Sequence, residues 1–125
     1  MNLLLDSHVL LWALHNPDRL SSKAREAIVD PTNLVYFSAA SAWELEIKVD
    51  KGKLTLPSVW LQVAIETGLV ELPVSSVDAQ RSAHLPPHHS DPFDRLLVAQ
   101  AMAHQLHLVT RDGTLAAYGV PILTA

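Results

Sequence analysis

The sequence contains no cysteine and no apolar run long enough to cross a membrane. Without cysteine, a disulfide scaffold and every thiolate metal site are excluded. The longest unbroken apolar run, Val9 to Leu14, is far too short to span a bilayer. The N-terminus lacks the basic residues of a signal peptide, and Asp6 and His8 interrupt its leucines. We therefore expect a soluble, cytoplasmic protein with no membrane partner.

Basic residues are also scarce. Nine Lys and Arg face thirteen Asp and Glu, so the formal net charge is −4 and the sequence pI is near 5.9. This balance argues against binding nucleic acid through bulk electrostatics. It still permits an enzyme that meets a phosphate backbone through a bound cation and a local basic patch. One such patch runs from Lys48 to Lys53, although lysines at the C-terminal end of a helix are also typical of a solvated surface.

The chain has the size and composition of one globular domain. It has 125 residues, of which 49% are hydrophobic and 18% charged, and it shows no repeat, linker or low-complexity tract. We expect a single domain over residues 1–125.

Predicted strands alternate with predicted helices. The strands are expected at residues 2–5, 34–37, 69–72 and 107–110, with a short edge strand at 120–123. The helices are expected at residues 9–14, 23–29, from Ser38 or Ser41 to 51, 57–68, from Ser75 or Ser76 to 85, and 91–105. This alternation predicts a three-layer α/β/α fold with a central parallel sheet of about five strands.

Acidic residues lie where such a sheet places its ligands, beyond the carboxyl ends of the strands. Asp6 ends the first strand and Asp112 follows the fourth, while Glu44 and Asp94 lie early in helices. The glycine-rich phosphate loops, the G-x-S-x-G nucleophile motif and H-E-x-x-H are all absent. The acids are therefore the candidates for chemistry.

Each acid also has a purely structural interpretation. Asp91 and Asp94 are spaced as a helix cap and its reciprocal partner, and Asp112 precedes a glycine, as in a turn. Asp6 is harder to explain in this way because it lies between two apolar segments. A charge in that position must be paired or must bind a metal.

The helix that carries Glu44 contains two candidates for the acid that faces the site, Glu44 and Glu46. Glu44 falls on the polar edge of a wide apolar arc, where it can pair with Lys48 four residues on. Glu46 falls inside the arc, so periodicity favours Glu46 as the acid that faces inward. Spacing alone does not decide between them.

Four segments together resemble one family. They run from Leu3 to Trp12, from Ser38 to Glu44, from Asp91 to Gln100 and from Leu108 to Asp112. In this order they resemble four sequence blocks of PIN-domain proteins, and specifically of the VapC-like ribonuclease toxins of bacterial toxin–antitoxin pairs. The resemblance implies a PIN-like fold, with the first and fourth strands side by side, and an endoribonuclease that depends on Mg²⁺ or Mn²⁺.

The resemblance also implies a site and its partners. The catalytic and metal-binding acids would be Asp6, Glu44, Asp94 and Asp112, with Ser7 and Thr110 beside them. Asp91 and Arg95 are further candidates because they lie near Asp94 in the sequence. An activated water would attack the RNA phosphodiester without a covalent intermediate. Arg95 and Arg111 are candidates for phosphate contact, although each adjoins an acid whose charge it would equally balance. At the position of Glu46 the sequence departs from most VapC-like relatives, which have a small residue there. Whether Glu46 joins the site is therefore open.

The expected partners are an RNA substrate, a second copy of the chain in a homodimer, and a cognate antitoxin whose tail covers the acidic pocket. The alternative is a catalytically silent PIN-like scaffold that binds RNA or a protein. The presence of all four expected acids argues against that alternative.

Histidines and tryptophans receive less specific interpretations. His88 and His89 could ligate zinc together with Asp94, but adjacent histidines in a proline-rich loop are more often solvated. His8 is expected to pack or to donate a hydrogen bond at the start of a helix. The three tryptophans, Trp12, Trp43 and Trp60, occupy apolar positions and are expected in the core.

Overall fold

The central sheet has five strands, all parallel, in the order β3-β2-β1-β4-β5. A computed structural model describes residues 1–125. The strands are β1 (Asn2–Leu5), β2 (Leu34–Ser38), β3 (Val70–Leu72), β4 (His107–Thr110) and β5 (Ile122–Thr124). Strand β1 lies beside β4, with Leu5 opposite Val109, as the family resemblance implies. The predicted three-layer α/β/α fold is confirmed.

Six helices cover the two faces of the sheet. They are α1 (Ser7–His15), α2 (Ser22–Val29), α3 (Ala39–Asp50), α4 (Trp60–Glu66), α5 (Ser76–Ala83) and α6 (Pro92–His104). Short 3₁₀ helices span Pro17–Arg19 and Gly113–Tyr118. None of the helices combines the length and the hydrophobicity that a transmembrane span requires.

Side-chain caps explain where most helices begin. Ser38 and Ser75 each accept a hydrogen bond from a backbone N–H of the first turn, so these serines, and not Ser41 or Ser76, start α3 and α5. Helix α4 begins at Trp60, later than predicted at residue 57. The residue before it is a valine, which offers no side-chain acceptor.

The core consists of two apolar layers separated by the sheet. Leu3 and Leu5 of β1 face the layer that contains α1 and Phe37, whereas Leu4 faces the layer beneath α6. All three leucines are completely buried. A strand covered on both faces has no need for alternating polar residues, which accounts for the leucine run.

Replacing one leucine of this strand tests the packing. Leu4→Ala should lower the free energy of unfolding by about 3 kcal/mol, because it leaves a cavity between β1 and α6. Leu34→Ala, at a half-exposed position in β2, is the matched control and should cost less than about 1 kcal/mol. Urea unfolding measures both. Equal losses in the two variants would contradict the described core.

Candidate active site

The acids predicted from the sequence meet at one end of the sheet. Asp6 follows β1, Asp112 lies just beyond β4, and α3 and α6 contribute Glu44 and Asp94. These four carboxylates and that of Asp91 line one cleft of about 820 Å³. Residues far apart in the chain converge here because β1 and β4 are neighbours in a parallel sheet.

Asp6 is the most deeply placed of these acids. It is 8% exposed and caps α1, its Oδ1 accepting a 2.8 Å hydrogen bond from the backbone N–H of Val9. Burial raises the pKa of Asp6, while the hydroxyl of Thr110 and the Val9 N–H partly oppose that effect. Thr110 also accepts a hydrogen bond from the backbone N–H of Asp112 at 3.0 Å. This threonine therefore links the two acids that end neighbouring strands.

Asp94 has the most strongly perturbed carboxyl in the cleft. Burial, followed by repulsion from Asp91 and Asp6, raises its pKa to about 6. Its side chain accepts no hydrogen bond, and the nearest group that can carry positive charge is His89, whose Nε2 lies 3.7 Å from Oδ2. The negative charge on Asp94 is thus poorly compensated by the protein.

Asp112 behaves differently because its two oxygens have separate partners. Oδ1 accepts hydrogen bonds from the hydroxyl and the backbone N–H of Thr114 and so caps the second 3₁₀ helix. Oδ2 lies 2.9 Å from His89 Nε2. The Thr114 hydroxyl, with smaller contributions from the Thr114 N–H and His89, holds the pKa of Asp112 below its usual value. The turn expected at this residue is therefore present within the site.

Glu44, and not Glu46, faces the cleft. The hydroxyl of Ser7 donates to Glu44 Oε1, and Lys48 Nζ lies 3.8 Å from Oε2. Glu46 points elsewhere and accepts a 2.7 Å hydrogen bond from Trp60 Nε1. Periodicity favoured Glu46, and this prediction is wrong because the hydroxyl of Ser7 in α1 holds Glu44 in the cleft.

Asp91 caps α6 without the reciprocal contact that its spacing predicted. Its Oδ1 accepts from the backbone N–H groups of Phe93 at 2.8 Å and Asp94 at 3.4 Å. Its own N–H donates to His89 Nδ1 at 3.2 Å, in place of the Asp94 carboxylate. Asp94 therefore does not complete a capping box, and its carboxylate lines the cleft.

Arg95 lies behind the cleft and not in it. Its guanidinium donates to the Tyr118 hydroxyl and to four backbone carbonyls, those of Ser82, Leu85, Pro86 and His89. With its donors engaged in this way, Arg95 holds the loop between α5 and α6 and is not arranged to contact a phosphate. Arg111, in contrast, lines the cleft and lies over the ring of Trp12 at 4.2 Å.

His89 was expected to be solvated, and this expectation is wrong, because its imidazole contacts the carboxylates of Asp94 and Asp112. Its Nδ1 accepts the Asp91 N–H, which places the proton of a neutral imidazole on Nε2, facing the carboxylates. The His89, Asp94 and Asp112 ligand atoms lie within 4.8 Å of one another. Ligating a metal through Nε2 would require Nδ1 to give up its bond from Asp91. The only signal in the sequence was the position of His89 two residues before a helix cap.

The three tryptophans and the other histidines that were interpreted from the sequence differ in their exposure. Trp60 is buried, Trp12 is half-buried in the cleft wall, and Trp43 is 65% exposed, so the prediction of a core position is wrong for Trp43. His8 lines the cleft with its ring 5.9 Å from that of Trp12. His88 is exposed and packs against the ring of Tyr118.

The donor set of the cleft fits a hard divalent cation. The carboxylates of Asp6, Asp94 and Asp112 provide oxygen ligands, which Mg²⁺ and Mn²⁺ prefer. Burial and mutual repulsion raise the pKa values of Asp6 and Asp94. A cation bound among these oxygens would relieve both effects.

The raised pKa of Asp94 has a consequence for stability in the absence of metal. The ionised carboxylate is disfavoured in the folded state, where its pKa is about 6 against an ordinary 3.8. Asp94→Asn should therefore raise the free energy of unfolding in EDTA at pH 7.5, by about 1–3 kcal/mol. The gain should shrink as the pH falls from 6 towards 4, because wild-type Asp94 then becomes neutral in the folded protein.

Urea unfolding at several pH values measures this gain. Asp18→Asn is the control, because the Asp18 side chain is 94% exposed and outside the cleft. A variant less stable than wild type at pH 7.5 would contradict the described environment of Asp94.

Comparisons with known proteins agree with the geometry. A family model described as "PIN domain" matches residues 3–121. The chain is similar to Ribonuclease VapC22 of Mycobacterium tuberculosis (strain ATCC 25618 / H37Rv), with 36% identity over 121 residues. This alignment covers 94% of the chain and 92% of that protein.

Solved structures share the fold. The crystal structure of VapBC2 from Rickettsia felis bound to a DNA fragment from their promoter matches with a TM-score of 0.71 at 15% identity, covering 100% of this chain and 98% of that one. FitAcB from Neisseria gonorrhoeae matches with a TM-score of 0.62 at 23% identity, covering 97% and 96%. The family match includes every acid of the cleft and nearly the whole chain. The protein therefore belongs to the PIN domain family.

Proposed function

We propose that the protein is an endoribonuclease that hydrolyses RNA phosphodiester bonds with the help of Mg²⁺ or Mn²⁺. The observation that carries this proposal is the convergence of four carboxylates, from four different parts of the chain, in one open cleft. The 36% identity to Ribonuclease VapC22 supports RNA as the substrate. Asp6, Asp94 and Asp112 would hold the cation, and Glu44 would complete the site as a ligand or as a general base.

Some side chains of the cleft would bind the cation, and others orient the carboxylates that bind it. When bound, the cation would offset the negative charge of the phosphate and lower the pKa of a water molecule. Asp112, with its lowered pKa, keeps its negative charge across the physiological pH range. Ser7 orients Glu44, which lies beside Lys48. Thr110 and His89 hold the two strand-end acids in position.

We further propose that the protein is the toxin of a toxin–antitoxin pair and acts as a homodimer in the cytoplasm. The toxin assignment is supported by the VapC-like sequence blocks and by the 36% identity to Ribonuclease VapC22. The homodimer and the cytoplasmic location are extended from the resemblance to VapC-like toxins. A small antitoxin whose tail enters the cleft would prevent contact between RNA and the carboxylates.

Removing single carboxylates tests the metal site. In calorimetric titrations with Mn²⁺, Asp6→Asn and Asp94→Asn should weaken binding by at least about ten-fold, because each removes a charged oxygen ligand. Cleavage of single-stranded RNA in Mg²⁺ should fall by about 100-fold or more. Glu46→Gln, the same type of change on the outer face of α3, should leave both unchanged.

Three outcomes separate the alternatives. Equal loss in Glu46→Gln, or RNA cleavage that persists in EDTA, would contradict the carboxylate site. Saturable Mn²⁺ binding by a protein that cleaves no RNA would favour the silent scaffold. Variants purified in parallel with the wild type control for contaminating nuclease.

Metal affinity should also depend on pH. A cation binds the ionised carboxylate, so protons compete for Asp94 once the pH falls below its pKa of about 6. We expect the Mn²⁺ dissociation constant to rise about four-fold or more between pH 7.5 and pH 5.5. Calorimetry in two buffers of different ionisation enthalpy should detect proton release at pH 6. An affinity that is constant across this range would contradict the raised pKa.

A further inference from the structure

Trp43 is a large aromatic side chain that the fold leaves in solvent beside the cleft. It is 65% exposed, and its ring packs in an edge-to-face arrangement with the ring of Phe93, at 5.4 Å between centroids. Trp43 directly precedes Glu44, and Phe93 directly precedes Asp94. The aromatic pair is therefore anchored to the same two helices that carry acids of the cleft.

A groove continues from the cleft towards this aromatic pair. It has a volume of about 510 Å³ and includes Phe93, Lys51 and Ser90. It shares Glu44, Lys48, Lys53 and Asp91 with the acidic cleft. A polymer that extends from the acids along the surface would pass through this groove.

Basic residues are concentrated along this path although the protein is acidic overall. Of the four lysines in the sequence, Lys48, Lys51 and Lys53 line the groove. Lys51 and Lys53 are exposed and form no ion pair, while Lys48 contacts Glu44. Trp43 adjoins this groove through Phe93, which lines it. Unpaired ammonium groups in a groove that ends at an exposed aromatic pair complement the phosphates and bases of a nucleic acid strand.

We propose that this groove binds a single-stranded part of the RNA substrate, with one base stacked on Trp43 and adjacent phosphates beside Lys51 and Lys53. The inference rests on the proposed ribonuclease function and adds a binding surface to it. Only an unpaired base can present its face to the indole, because a duplex buries the base faces in its own stack. The groove therefore selects single strands over duplexes.

Binding measurements test the stacking. Fluorescence anisotropy with a labelled 12-nucleotide single-stranded RNA, in EDTA and in an Asp112→Asn background, reports affinity without cleavage. Trp43→Ala and Trp43→Leu should each weaken binding by about ten-fold, and Trp43→Phe should stay within about three-fold of the parent. Lys51→Ala combined with Lys53→Ala should reduce the salt dependence of binding, because fewer phosphates are neutralised. Val77→Ala, at an exposed apolar position on α5, should have no effect.

Kinetics of the otherwise unaltered protein separate this proposal from the proposed function. With Mg²⁺ and single-stranded RNA, Trp43→Ala should raise KM about ten-fold and leave kcat within about two-fold. A wild-type protein that cleaves no RNA would overturn the proposed function. Wild-type cleavage with an unchanged KM in Trp43→Ala would overturn the groove alone.

Sedimentation velocity addresses the other possible occupant of this surface, a second copy of the chain. The groove proposal expects the same oligomeric state for wild type and Trp43→Ala. If Trp43→Ala converts a dimer to a monomer, the indole belongs to a subunit interface and the proposal is overturned. Circular dichroism of Trp43→Phe and Trp43→Ala checks that both variants fold.

Discussion

The structure of the site depends on holding several carboxylates close together against their mutual repulsion. Asp6 and Asp94 come from different elements, yet each bears a raised pKa in which burial dominates and the charges of nearby acids add to the effect. A fold tolerates such an arrangement only where strong local geometry positions each side chain. Two adjacent parallel strands deliver Asp6 and Asp112 to one edge of the sheet, and α6 brings Asp94 to the same edge.

Helix capping is what fixes several of these acids. Asp6, Asp91 and Asp112 each accept a backbone N–H at the start of a helix or 3₁₀ helix. For Asp112, one oxygen forms the cap while the other faces the cleft. The structural and the functional interpretation of such a residue are therefore compatible. Asp94 is the exception, since its carboxylate caps nothing, and burial together with nearby acids raises its pKa to about 6.

Much of the fold could be predicted from the sequence because its signals are local. Serine and aspartate caps, apolar strands and the two prolines before α6 define most element boundaries within a few residues. The positions of Asp6 and Asp112 at strand ends follow from the apolar strand patterns, whereas the pairing of those two strands was implied by the resemblance to PIN-domain proteins. Periodicity failed for Glu44 and Glu46, because the hydroxyl of Ser7 and the indole of Trp60 decide which acid faces inward. Such contacts between distant segments leave no periodic pattern in the sequence.

The same limit applies to the loop before α6. The role of Arg95 depends on five acceptors, four of which are backbone carbonyls brought within reach by the turn of the chain. Backbone acceptors are independent of side-chain identity, so no residue pattern reveals them. The same loop presents His89 to Asp112. Arg95, which the sequence offered as a phosphate ligand, instead stabilises the segment that completes the site.

The positions of the charged residues matter more for this protein than its net charge, because acids are concentrated in the cleft and lysines along the adjoining groove. The carboxylates of the cleft repel a polyanion unless a cation is present, whereas Lys51 and Lys53 attract phosphates with or without one. The two regions are adjacent, so RNA held by the lysines would lie at the entrance of the cleft before a phosphate approached the acids. A net charge of −4 therefore says little about nucleic acid binding here, because charges farther from a bound RNA than a Debye length, about 8–10 Å, are largely screened.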